Sequence, residues 1–205
     1  MAKLALLGGG GFAKEVAEVA GLMGHTVNDY FADKAGNSPF CHCGYLEELK
    51  QAKDHYDGVA LAIGGVSRKS QEIRHRLIGW LDDNAIRCLP IVSPRAVISK
   101  GAVIEDGTFI AHNVVVAVDA RVGRFSLLNT NALVGHDTIL EQNVAISPLA
   151  FIGGDAKIGR DSLIGASANI LQGVTIGESV VIGIGCTVLG DISANSTILP
   201  QLKRA

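Results

Sequence analysis

The chain has 205 residues, with 18 Lys and Arg against 20 Asp and Glu for a formal net charge of −2; that suffices for one large or two small domains and leaves no polybasic field for nucleic acid or an anionic membrane. Hydrophobic residues make up 48%, yet Gly, Asp, Asn or Lys interrupts every apolar stretch well short of the ~18 residues of a membrane span. The four apolar residues after Lys3 are too few for the core of a signal peptide, so a cytoplasmic protein with no membrane span is expected.

Up to Pro90, short apolar runs alternate with helical patterns, which predicts a small parallel α/β unit over residues 1–90. Lys3 to Leu7 reads as a strand, followed by a helix with Phe12, Val16, Val19 and Met23 on one face. Further strands are expected over Thr26 to Phe31 and Val59 to Ile63, then a helix from Ser67 to about Asp83 and a last strand ending at Leu89. The four cysteines, Cys41, Cys43, Cys88 and Cys186, are too irregular for a disulfide framework. Cys41-His42-Cys43 with His55 is read as a plain loop, because structural zinc prefers wider paired spacing and four defined ligands; no metal is expected.

After Pro90 the period becomes six. Counting from Ile98 gives Ile104, Ile110, Val116, Val122, Leu128, Val134, Leu140, Ile146, Ile152, Ile158, Ile164, Ile170, Ile176, Ile182 and Val188, with a small or β-branched residue two places before each. An ordinary β-sandwich would show period two with turns every 8–12 residues. The six-residue register predicts a parallel β-helix over residues 91–205, each hexad laying one short strand and one bend. With three hexads per coil, residues 18 apart stack at the sheet spacing of about 4.8 Å, in five to six coils. The register slips after Gly190, where Ile192 and Ile198 replace it, so the last coil is expected to end there with a capping tail. Periodicity leaves the hand of the coil open, and general crossover sterics favour right-handed winding.

Gly8-x-Gly10-x-x-Ala13 fits a dinucleotide fingerprint, in which backbone N–H groups at a helix start cradle a diphosphate. With fewer than 90 residues before the repeat, at most half of a dinucleotide fold fits. That suits a nucleotide-diphospho-sugar better than NAD.

The hexads, the run Gly8-Gly9-Gly10-Gly11-Phe12, the linker Ser93-Pro94-Arg95-Ala96-Val97-Ile98 and Gly135-His136-Asp137 together resemble the hexapeptide-repeat sugar acetyltransferases across the whole chain. Members of that family acetylate UDP-linked 4-amino sugars; relatives act on sialic acid or GDP-perosamine. The resemblance implies a Rossmann-like half domain followed by a left-handed parallel β-helix. It also implies a homotrimer with acetyl-CoA bound between adjacent β-helices and a His as general base. It carries the base to His136 and its acidic partner to Asp137, and points to Ala145, Ala166 and Ile184 for CoA. Related enzymes often have a second histidine where Ala145 stands, nine residues after the base. Gly10, Gly11 and Phe12 would line the diphosphate or sugar, Asp33 and Lys34 would meet the nucleotide, and Gly64 would close the pocket. Lys203 and Arg204 could reach CoA phosphates, although a frayed tail is the plainer reading.

Transfer from a thioester to an amine needs a base and an oxyanion donor. His136 follows Val134 by two, which aims it outward at a bend, whereas His112 lies 24 residues earlier and therefore on a different wall. Asp119, Asp137 and Asp155 fall in one column; they are either solvated bend residues or a charge column neutralised by His136 or a neighbouring subunit. Gly154 stacks on His136 and either donates its N–H to the oxyanion or serves a tight bend. The leading expectation is acetyl-CoA-dependent N-acetylation of a nucleotide-linked 4-amino deoxysugar for surface glycans. The alternatives are sugar or sialic acid O-acetylation, and a non-catalytic nucleotide-sugar-binding scaffold.

Overall fold

A computed structural model of the protein describes residues 1–200; Lys203 and Arg204 lie outside the described residues. The N-terminal unit is a parallel sheet of β1 (Lys3–Leu7), β2 (Thr26–Phe31), β3 (Cys41–His42) and β4 (Gly58–Leu61), in the order β3-β2-β1-β4, with helices α1 (Gly11–Leu22), α2 (Leu46–Ala52) and α3 (Arg68–Asp83). Leu4 to Leu7 of β1 are buried on both sides, as expected of a central parallel strand. Val16 and Val19 of α1 pack into the same core. Ser67 caps α3, its Oγ accepting from the Ser70 N–H at 3.2 Å.

Three local expectations change. Cys41–His42 is not a loop but the edge strand β3, paired with β2 through Asp29–Cys41 and Tyr30–His42. The segment after it forms α2, whose start is tied by the Tyr45 N–H donating to Glu48 Oε2 at 2.9 Å; without a Ser or Thr cap this start is hard to see in the sequence. The strand expected to end at Leu89 shrinks to one bridge between Val59 and Cys88, since Pro90 has no N–H with which to extend a ladder.

From Ile91 the chain winds into a three-sided parallel β-helix, with two-residue strands recurring every six residues from Ile91–Val92 to Thr187–Val188. Residues 18 apart pair in register, for example Leu133 with Phe151 and Val134 with Ile152. The second residue of each strand points inward, and from Ile110 to Val188 every one is buried. Inward hydroxyls are satisfied by carbonyls 15 residues on: Thr138 Oγ1 donates to Gly153 O at 3.0 Å and Ser162 Oγ to Gly177 O at 2.9 Å. From Asn113 to Gly185 the third residue after each inward aliphatic takes positive φ, between 54° and 63° where it is not glycine, and Asn195 does the same in the last coil. Asn and Asp dominate there because their short polar side chains tolerate that region. The helix does not stop at Gly190: Ile176 bridges Ile192 and the strand Thr197–Ile198 pairs with Val181–Ile182, so the last coil closes with a spacing of 16 rather than 18.

The three faces differ. One, carrying Phe109, Leu127, Ala145 and Leu163 outward, is covered by the N-terminal unit, and one of two apolar clusters runs from that unit through the coil. The second has Val103, Arg121, Ile139, Lys157 and Thr175 outward in one column. The third presents Val97, Val115, Leu133 and Phe151, then Asn169 and Thr187. Among the described residues, no helix is long and apolar enough to cross a membrane.

Candidate active site

His136 stands at the corner where the third face turns into the second, between the strands Leu133–Val134 and Ile139–Leu140. Its side chain is 54% exposed, and its Nδ1 lies 2.8 Å from Asp137 Oδ2. A carboxylate only accepts, so Nδ1 carries the hydrogen and the neutral ring keeps its lone pair on Nε2. The corner is pinned from both sides: the Asp137 N–H donates to Val118 O at 3.0 Å and the Asp155 N–H to His136 O at 2.8 Å. The Asp137 hydrogen bond raises the His136 pKa, the charge of Asp155 adds to it, and partial desolvation opposes. His136, Asp137 and Asp155 offer atoms within 4.8 Å of one another. Asp119, Asp137 and Asp155 all sit at φ of 57°, so turn geometry accounts for the residue type, and the imidazole sits among the upper two carboxylates.

Gly154 is buried directly beneath the ring, and a Cβ built there would lie 2.5 Å from His136 Nε2. The space expected to receive the thioester is filled by the imidazole itself. The missing side chain of Gly154 leaves room for the His136 ring to lie against its backbone.

Ala145 is also not where the expectation put it. It is fully buried on the covered face, and a Cβ on Gly65 would meet the Ala145 Cβ at 2.7 Å. Ala145 thus presents no exposed surface to a cofactor, and the missing side chain of Gly65 leaves room for its methyl. Ala166 and Ile184 lie 18 apart on a different corner, the one leading into the third face, and Ile184 is 66% exposed. They and His136 thus flank the same apolar face from its two edges. His112 shares the corner of Ala166, where its Nδ1 lies 2.6 Å from Ser93 Oγ and its Nε2 3.6 Å from Glu18.

The glycine turn after β1 forms a second, separate locus. Gly8 adopts φ of 121°, and Gly9 lies under the Tyr30 ring, where a Cβ would come within 2.2 Å of it. Gly10 opens α1 with no side-chain cap, and nothing lies within 4 Å of a Cβ built on Gly10 or Gly11. The first turn of α1 thus faces open space with its N–H groups, which suits an anion. Phe12 stacks edge-on against Phe109 of the β-helix at 5.0 Å and lies 3.8 Å from a Cβ built on Gly64. Asp33 and Lys34 are exposed on the segment after β2. That segment is drawn toward the turn by the Gly36 N–H, which donates to Tyr30 Oη at 2.9 Å.

The joint between the two units was not foreseen. Arg74 of α3 is fully buried and donates from Nε to Asn143 Oδ1 at 2.8 Å, from Nη1 to Ile63 O at 2.6 Å and from Nη2 to Phe125 O. Burial pulls its pKa down to about 9, with Asp161 opposing, so it stays charged at neutral pH. Gln71 adds bonds to Asn143 O at 2.9 Å and Ser162 O at 3.0 Å. No local sequence signal marks these residues, because the partners lie 11 to 91 residues away.

Comparison with known proteins fits this arrangement. Residues 3–81 match the family described as the PglD N-terminal domain, and residues 155–190 match the bacterial transferase hexapeptide (six repeats). No curated protein sequence matches the chain significantly. Among solved structures, the acetyltransferase domain of PglB from Neisseria gonorrhoeae is 28% identical with a TM-score of 0.88, covering 97% of this chain and 96% of its own. The same domain in complex with acetyl coenzyme A gives 27%, 0.85, 97% and 96%. PerB from Caulobacter crescentus, in complex with CoA and GDP-perosamine, gives 26%, 0.83, 97% and 94%. The chain thus joins an N-terminal domain of the PglD family to a bacterial transferase hexapeptide repeat, and over 97% of its length it is similar to the PglB acetyltransferase domain.

Proposed function

We propose that the protein transfers acetyl from acetyl-CoA to the 4-amino group of a nucleotide-linked deoxysugar, UDP-linked by preference, for bacterial surface glycans. The observation that carries this reading is the exposed His136 ring with Nδ1 on Asp137 and a free Nε2. The PglB domain complex with acetyl coenzyme A and the PerB complex with CoA and GDP-perosamine support the two substrates.

In this mechanism the neutral sugar amine attacks the thioester carbonyl while His136 Nε2 takes a proton from the nitrogen. The new imidazolium, held by Asp137, lies next to the tetrahedral oxyanion and offsets its charge. Collapse breaks the C–S bond, and the proton on Nε2 passes to the departing sulfur, giving CoA thiol and the amide with His136 restored. Gly10 and Gly11 at the start of α1 hold the diphosphate, Phe12 and Gly64 border the sugar, and Asp33 and Lys34 meet the nucleotide. Ala166 and Ile184 support the pantetheine arm.

The assembly in this reading is a homotrimer joined through the third face, whose outward column of Val97, Val115, Leu133 and Phe151 is apolar and uncovered. Val97 is 57% and Phe151 41% exposed. His136 borders that face, so the reaction occurs at a seam between protomers. The test is release of CoA thiol from acetyl-CoA with UDP-, GDP- and CMP-linked amino sugars and their hydroxyl counterparts. The reading predicts turnover with a UDP-linked 4-amino sugar. Turnover with hydroxyl sugars alone would make it an O-acetyltransferase, and none with any acceptor would make it a binding scaffold.

A further inference from the structure

The motif Cys41-His42-Cys43 plays no part in acetyl transfer, yet the fold gives it a partner the sequence does not suggest. β3 is the edge strand, so Cys41 and Cys43, two apart, project to the same side. Asp29 of β2 pairs directly with Cys41. The two sulfurs and an Asp29 oxygen all lie within 4.8 Å of one another. Behind them, Tyr56 Oη donates to Asp29 Oδ2 at 2.9 Å, which fixes the carboxylate. His42 is not part of this set: it points the other way, its Nε2 2.9 Å from Ala32 O. Cys43 Sγ lies 3.6 Å from Cys41 O and Cys41 Sγ 4.0 Å from His42 O, and the Cys43 thiol also meets the side chains of Cys41 and Asp29.

From this juxtaposition we infer that Asp29, Cys41 and Cys43 form a three-ligand site for a thiophilic divalent cation of the zinc class, with water as the fourth ligand. A tetrahedron with metal–sulfur arms of about 2.3 Å has edges of about 3.8 Å, so the ligands must close by roughly 1 Å at most. Rotation about the cysteine χ1 bonds supplies that without moving the strand. Binding releases the thiol protons and replaces crowding of three acidic groups by attraction to one cation. Tyr56 serves as the outer partner that orients the ligating carboxylate. The ion would clip β3 to β2 at the base of the segment carrying Asp33 and Lys34, with one water-filled position left open to solvent, and it is independent of the acyl-transfer reading.

The test is titration of the reduced full-length protein with Co2+, read by absorption, followed by displacement with Zn2+. One ion per chain is expected, with a thiolate-to-cobalt charge-transfer band that Cys41→Ser weakens and Cys41→Ser/Cys43→Ser abolishes. Affinity should fall by about tenfold or more in Tyr56→Phe, the size typical of losing an outer partner. Cys88 and Cys186 are buried, so they contribute no band. Because Cys41 is exposed on an edge strand, its serine variant keeps the fold and the result stays readable. A band of full intensity in the double variant, no thiolate band with excess Co2+, or a Cys41–Cys43 disulfide in protein kept under reductant would overturn the site.

Discussion

The Nε2 lone pair of His136 is placed by its neighbour, since the Asp137 carboxylate can only accept and so holds the hydrogen on Nδ1. The same bond raises the His136 pKa above its ordinary value of 6.5. The base works only when neutral, so kcat/KM should fall as pH drops through that raised pKa. In Asp137→Asn the pKa relaxes downward and the acid limb moves to lower pH, while the plateau rate falls on the order of tenfold to a hundredfold; a pH–rate profile reads both. Asp155→Asn should move the limb the same way by less, because Asp155 acts through charge alone. Gly154→Ala separates seat from scaffold. The Gly154 backbone lies outside the left-handed region, so alanine fits it, but the Cβ must push the ring aside. Turnover should drop while unfolding free energy changes by less than about 1 kcal/mol. His136 was legible because a histidine two places after an inward aliphatic must point out at a bend. The burial of Ala145 was not legible: nine residues is one and a half hexads, which lands it on the outer side of the face that the N-terminal unit covers.

At the scale of elements, the β-helix was readable because each inward position must be aliphatic to fill the axis, so the register from Ile98 to Val188 is unbroken. The edge strand and α2 were not, since a two-residue strand has no periodicity and the start of α2 has Tyr45 where a Ser or Thr would signal a cap. The joint was hidden for a deeper reason. Arg74 finds Asn143 only after α3 docks on the covered face, and nothing local encodes that approach. Replacing Arg74 with Met should leave Ile63 O, Phe125 O and Asn143 Oδ1 without their donor, and destabilise the protein by roughly 2–4 kcal/mol in chemical denaturation. Because Ile63 immediately precedes Gly64, KM for the nucleotide sugar should rise more than KM for acetyl-CoA.

For the whole molecule, the faces of the coil differ: the N-terminal unit covers the first, the second carries Arg121 and Lys157 among uncharged residues, and the third is apolar from Val97 to Phe151. Two-domain order was legible in the sequence and a trimer is what the resemblance implies, whereas the face proposed to meet a neighbour is suggested only by which one the fold leaves uncovered. Phe151→Arg places a charge at the end of that apolar column, next to Leu133, and should give monomers by light scattering, with activity lost alongside the proposed trimer. Thr187→Arg, at the polar end of the same face, should leave the assembly intact. Activity that survived in the Phe151→Arg monomer would place the reaction within one chain.

All three scales converge on one imidazole, and its direct test is the turnover of His136→Ala with acetyl-CoA and a nucleotide-linked 4-amino sugar. The account predicts a fall of about 10²–10⁴ in kcat, with the oligomeric state and CoA affinity unchanged. A rate close to that of the unaltered protein would contradict it.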